Sequence, residues 1–246
     1  EGNYKKILQD LVGAGTSLFV TVAGCVLYYA PIGVFALMAC SIATFRGALV
    51  KEMASFLTAY TVGYAFHVLF VYFLIFWIMT RLNPLKFFKK AFPALLTAFT
   101  TCSSAATLPV SLRCTEEMGI HEELRNFSIP LGMTFNMDSM AIEIPLFIML
   151  GMFAINIQPS FAELIQFLFL GLAFSVGCAG VPGGGLAIAA ILVKAFNLPD
   201  EAVAWIAAVF AYLDVTGTTM NVWGDMVCTV IVGKNEGLMD IEKFNS

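Results

Sequence analysis

The chain has 246 residues, of which 59% are hydrophobic and only 12% charged, with a net charge of −4. Its mean hydropathy is +0.86 and its pI about 5.2, whereas an ordinary soluble domain carries roughly 25% charged residues. A soluble domain and a basic nucleic-acid-binding surface are thereby excluded, and the six scattered cysteines, without a CxxC, read as small core residues.

No Lys, Arg, Asp or Glu lies between Asp10 and Arg46, between Glu52 and Arg81, or between Glu163 and Lys194. Each gap exceeds the about 20 residues that cross a bilayer as a helix. The chain therefore reads as a polytopic, all-α membrane protein. It opens at Glu1, with neither a Met nor a signal-peptide pattern, and is expected to be part of a longer polypeptide.

Residues 1–47 contain a first apolar segment that Pro31 and Gly33, in "YYAPIG", are expected to break. Residues 53–80, rich in Phe and Tyr, make the cleanest span. The following "RLNPLKFFKK" gathers Arg81, Lys86, Lys89 and Lys90, which places that loop on the cytoplasmic side by the positive-inside rule.

Two later apolar stretches are poor candidates for through-going helices. "TTCSSAATLPV" is dense in small and hydroxyl residues, and "SVGCAGVPGGGLAI" in glycines around Pro182. Interior Gly costs a helix up to about 1 kcal/mol and Pro about 3. In lipid, backbone groups so freed must be satisfied by protein or by a wet cavity. Re-entrant hairpins are expected at 84–119 and 160–197, with tips near 103–109 and 178–185. A small-residue packing face would explain the glycines but not the prolines and hydroxyls among them.

Each suspected hairpin is followed by an apolar segment with a polar centre. Residues 123–156 hold Asn136 and Asp138, and residues 200–235 hold Asn221 and Asp225. Both segments are expected to be broken helices. The result is a duplicated unit, a pattern that points to a transporter site near the bilayer midplane.

No Lys or Arg occurs from Asn126 to Val193 or from Ala195 to Gly233, yet Asp138, Glu143, Asp214 and Asp225 lie there. A carboxylate at the centre of a membrane helix costs about 2.5 to 3.5 kcal/mol or more, so it implies a partner or a function. Protonation is one solution. The nearby oxygens of Thr134, Asn136, Ser139, Thr218, Thr219 and Asn221 favour another, a mobile cation or a substrate ammonium. Asp214, Thr218, Asn221 and Asp225 are spaced 4, 3 and 4 apart and fall on one helix face. A polar seam between helices is the plainer reading of that row.

"SSAATLP", "NMDSM", "AGVPGGG" and "DVTGTTMNVWGD", with "YYAPIGVFAL" upstream, occur in the order and spacing of the dicarboxylate/amino acid:cation symporters. The chain resembles that family, which includes glutamate transporters and neutral amino acid exchangers, over essentially its whole length. The resemblance implies the elevator fold: two re-entrant hairpins in an inverted repeat, with residues 1–47 as scaffold and 48–246 as transport domain. It implies a homotrimer in the cell (inner or plasma) membrane, with sodium as coupling ion, no organic cofactor and no nucleic acid partner.

The resemblance also implies a substrate site. The Ser104 backbone and the Asn221 side chain would hold the α-carboxylate and Asp214 the α-ammonium, with Ser103 also in the substrate site. Met137, Met140, Val181, Pro182, Gly185, Gly217 and Thr218 would surround the rest. One sodium would lie at Gly132, Asn136, Asn221 and Asp225, and another at Asn136 with Asp138. A third would use Thr134 and Met137 with Ser175, Val176 and Cys178.

Family members that carry glutamate or aspartate hold the side-chain carboxylate with an arginine; here the two such positions are Gly217 and Cys102. The expected function is sodium-coupled uptake of an amino acid, a neutral one favoured. The alternative is a proton- or sodium-coupled carrier of acidic amino acids or C4-dicarboxylates. Glu143 has no assigned role and reads equally as a proton carrier, a core hydrogen-bonder or a water-facing residue. Further spans precede this region in the family, one of them donating to a sodium site, so the 246 residues alone are not expected to transport.

Two other classes fit less well. A membrane hydrolase would use Ser103 or Ser104 with an aspartate, but the only histidines, His67 and His121, lie outside the repeats. A cation channel would share the oxygen-rich lining, and saturable uptake separates it from a carrier.

Overall fold

The computed structural model describes residues 51–178 and 183–246, with single helical residues scattered between Tyr4 and Ala43. The break expected at Pro31 and Gly33, and Val181 and Pro182 of the second tip, lie outside the described residues. Every named element is a helix, joined by one isolated bridge between Ile120 and Met239.

Helix α1 is the continuous segment Lys51–Thr80, with a π-helical stretch Val68–Ile75. It presents Val62, Phe66, Leu69, Phe70 and Trp77 outward, an apolar face suited to lipid. It ends where Arg81 turns left-handed, and Asn83 caps the next helix by accepting from the Leu85 and Lys86 amides. That helix, α2 (Pro84–Thr101), packs against α3 (Ser104–Glu117).

The turn between α2 and α3 is narrower than the expected tip. Cys102 adopts φ 50° and ends α2, and the Ser103 hydroxyl caps α3 by accepting from the Ala106 amide at 3.2 Å. A serine N-cap satisfies an orphan amide of the first turn, so the helix starts at once and Pro109 sits inside it.

Helices α4 (Glu122–Phe135) and α5 (Asp138–Ala154) form one apolar segment interrupted at Asn136 and Met137. Those two residues have ψ near 75° instead of helical values. The amides released by the break find partners in the protein: Met137 donates to the Ser175 carbonyl at 3.2 Å and Ser139 to Asn221 Oδ1 at 2.9 Å. A break inside an apolar segment is stable only with such replacements.

Helix α6 (Phe161–Gly177) opens with a capping box between Ser160 and Glu163. Helix α7 (Gly184–Ala195) follows Gly183, whose φ of 81° suits glycine. Helix α8 (Glu201–Asn235) is continuous over 35 residues, where the sequence had suggested a break. Its hydroxyls account for the difference. Thr216, Thr219 and Thr229 donate back to the carbonyls four residues earlier, and Gly217 and Gly224 serve for close approach by neighbours. A short α9 (Ile241–Asn245) closes the chain against α2, whose Lys86 and Lys90 ammonium groups donate to backbone carbonyls of Asn245 and Lys243.

Two apolar clusters build the interior. One joins α1, α5, α6, α7 and the first half of α8 around Tyr60, Phe147, Phe167 and Trp205. The other joins α1, α2, α3, α4, the second half of α8 and α9 around Tyr72, Phe76, Phe87 and Phe244. The polar centres of α5 and α8 fall where the two clusters meet. By length and composition, Lys51–Thr80, Glu122–Ala154 and Glu201–Asn235 can each cross a membrane.

Candidate functional site

At that junction a cavity with about 30 Å³ open to a water-sized sphere is lined by the α2–α3 turn, the start of α5, Cys178 and Gly185 at the facing ends of α6 and α7, and the middle of α8. Ser104, Met137, Met140, Gly185, Asp214, Gly217, Thr218 and Asn221 all line it. Ser103 stands behind the wall as the cap of α3. The spacing of Asp214, Thr218 and Asn221 on one face of α8 is thus spent on a single cavity.

Asn221 is fixed by two contacts. Its Oδ1 accepts from the Ser139 amide at 2.9 Å, and its Nδ2 donates to Met137 Sδ at 3.1 Å. Asp214 is half-buried on the wall of the cavity. Ser104 is buried and heads α3, where free amides and the positive end of the helix dipole favour an anion.

The fourth member of the row, Asp225, faces a different place. Its Oδ1 accepts from Asn136 Nδ2 at 3.1 Å and presses on Gly132, where a Cβ would come within 2.4 Å of it. Asp225 is buried, with 5% of its surface exposed. Gly132, Asn136 and Asp225 are therefore brought together, whereas Asn221 points to the cavity.

Asp138 occupies a third place, against Gly224. Its Oδ2 lies 2.5 Å from the Tyr72 hydroxyl and 3.5 Å from His67 Nε2. The same hydroxyl lies 2.8 Å from the Met220 carbonyl, so its single proton chooses between two acceptors. A Cβ at Gly224 would fall 2.2 Å from Asp138 Oδ2 and 3.0 Å from Asn136 Nδ2. Asn136 and Asp138 therefore share the space that this glycine leaves.

The remaining sequence-predicted oxygens are dispersed. Thr134 is exposed, its hydroxyl donating to the Pro130 carbonyl at 3.1 Å. The Ser175 carbonyl is engaged by the Met137 amide, Val176 is exposed, and Cys178 lines the cavity. Thr219 bonds back to its own helix.

Sequence reasoning missed Tyr72 and His67, which reach Asp138 from α1, and it left Glu143 unplaced. Nothing in the spacing of α1 singles out those two aromatic residues among so many. Glu143 lines the cavity with 2% exposure. Among the described residues, the ion pairs are His67–Asp138, Arg113–Glu117, Arg125–Glu116 and Lys194–Asp200. None gives a Lys or Arg to Asp138, Glu143, Asp214 or Asp225.

Residues 2–235 match the Sodium:dicarboxylate symporter family. The chain belongs to that family. Its relatives within this symporter family include the human Neutral amino acid transporter B(0), 35% identical over 206 residues, which covers 81% of this chain and 38% of the relative. Human Excitatory amino acid transporter 1 is 31% identical over 237 residues, or 94% of this chain and 44% of the relative. Human Neutral amino acid transporter A is 34% identical over 203 residues, 81% of this chain and 38% of the relative. The chain thus spans less than half the length of these transporters. The family and these relatives are transporters rather than enzymes, which removes the hydrolase reading.

Proposed function

We propose that the protein containing this chain is a sodium-coupled symporter for an amino acid without a side-chain carboxylate. The observation that carries this reading is the cavity of α8: Asp214, Thr218 and Asn221 on one face, Ser104 opposite, and no basic residue among its lining. Asp214 takes the α-ammonium. Asn221 and the Ser104 end of α3 take the α-carboxylate, because a helix N-terminus presents free amides to an anion. Thr218 and the residues before α7, with Val181 and Pro182, complete the enclosure.

Sodium ions supply the positive charge that the buried acids lack. One lies at Gly132, Asn136 and Asp225 with Asn221 near, and one between Asn136 and Asp138. A third uses Thr134 and Met137 with Ser175, Val176 and Cys178. The carbonyls at the end of α4, left without intrahelical donors by the break, add the oxygen ligands that a hard cation takes. No organic cofactor is required.

The α2–α3 and α6–α7 pairs act as re-entrant hairpins of a transport domain, residues 48–246. That domain moves as an elevator against a scaffold that includes residues 1–47. The assembly is a homotrimer in the plasma or inner membrane. Gly217 and Cys102 stand where acidic-substrate carriers place an arginine, so a second substrate carboxylate would be buried unpaired at high cost.

The test is radiolabelled amino acid uptake by the full-length protein in liposomes, with external sodium or choline. Uptake needs sodium, and non-acidic amino acids outcompete aspartate, glutamate and succinate. Competition won by aspartate, glutamate or succinate would overturn the substrate assignment, and uptake unchanged in choline would overturn the coupling ion.

A further inference from the structure

Glu143 projects into the part of the cavity where the substrate side chain would lie. Its Oε1 is 2.9 Å from the point where a Cβ on Gly217 would stand, and its Oε2 is 3.5 Å from the corresponding point at Gly185. Two glycines thus let a carboxylate that is almost wholly buried close against α7 and α8. Among the described residues no Lys, Arg or His forms an ion pair with it.

Asp214 lines the same cavity. Two buried carboxylates facing one cavity are costly unless one is protonated or positive charge enters between them. The α-ammonium of an amino acid answers Asp214 alone. Met140 and Phe210 line the same cavity as Glu143. Such walls suit a methylene chain that keeps its charged end on a polar partner.

We infer that the transported amino acid carries a cationic side chain, a lysine- or ornithine-like ammonium that pairs with Glu143 while its α-ammonium pairs with Asp214. This rests on the amino acid symporter reading and sharpens it. With Gly217 where acidic-substrate carriers place an arginine, and a glutamate pressed against it, the charge of the side-chain pocket is reversed.

The test is competition against sodium-dependent uptake by the full-length carrier in liposomes, using lysine, ornithine, norleucine, glutamine and aspartate. Lysine and ornithine are expected to be transported and to outcompete norleucine and glutamine. Glu143→Gln is expected to lower the affinity for lysine relative to norleucine about 30-fold or more, as for a truncated buried charge pair. A midpoint of thermal unfolding close to that of the wild type reports that the variant is folded. Norleucine or glutamine winning in the wild type, or a lysine affinity unmoved by Glu143→Gln, would overturn the inference and leave the symporter reading standing. Absence of sodium-dependent uptake for every amino acid would overturn both.

Discussion

Asn136 and Asp225, 89 residues apart in sequence, meet through a 3.1 Å hydrogen bond over the bare backbone of Gly132. The contact joins the break between α4 and α5 to the second half of α8. Among the described residues it also leaves the Asp225 carboxylate without a basic partner, in a position with 5% of its surface exposed. Gly132→Ala would place a Cβ 2.4 Å from Asp225 Oδ1 and 2.7 Å from its Cγ, and a short buried side chain has little room to retreat. The expected result is about a tenfold rise in the sodium concentration for half-maximal uptake, equivalent to roughly 1.4 kcal/mol. Sodium titration of uptake in liposomes measures it.

Asp214 and Asp225 separate into two jobs by position. Asp214→Asn is expected to weaken amino acid binding about 30-fold or more, because it removes the partner of a buried ammonium. Sodium binding without substrate should persist. Asp225→Asn is expected to do the reverse, removing most of the sodium dependence. Paired titrations of each variant, sodium alone and substrate at saturating sodium, distinguish the two outcomes.

Tyr72 holds Asp138 from a helix that the polar repeats do not include. Tyr72→Phe removes the hydroxyl between Asp138 and the Met220 carbonyl, leaving buried acceptors short of a donor. The expected destabilisation is about 1–3 kcal/mol. Gly224→Ala should be more severe for function, since its Cβ would lie 2.2 Å from Asp138 Oδ2 and 2.9 Å from the Tyr72 hydroxyl. Thermal unfolding in detergent checks the first variant, and sodium-dependent uptake the second.

The attachment of α9 provides a stability test away from the cavity. Gly119 has φ 85°, and a Cβ there would sit 2.4 Å from the Asp240 carbonyl oxygen. Its own carbonyl accepts from the Asp240 amide at 2.8 Å. Gly119→Ala therefore combines left-handed strain with displacement of the C-terminal segment, at a cost of about 1–3 kcal/mol. A lowered midpoint of thermal unfolding, with unchanged substrate selectivity, is the expected readout.

The membrane character, the unpaired acids and the polar face of α8 were legible without any coordinates. Long uncharged runs, missing lysines and arginines, and a spacing of 4, 3 and 4 are local properties of the chain. Helix periodicity converts such spacing directly into a shared face. The interruption at Asn136 and Met137 was legible for a similar reason, since polar groups in an apolar run raise the question of what satisfies the backbone.

Only the tertiary structure decided which acid meets which partner. It kept α8 unbroken, because glycines and back-bonded threonines can serve close packing as readily as unwinding. It brought Tyr72 and His67 to Asp138 across 66 and 71 residues, and it turned Glu143 onto Gly217, across 74. Contacts at such separations depend on how two apolar clusters close around α8. No periodicity within one segment encodes the face that another segment presents to it.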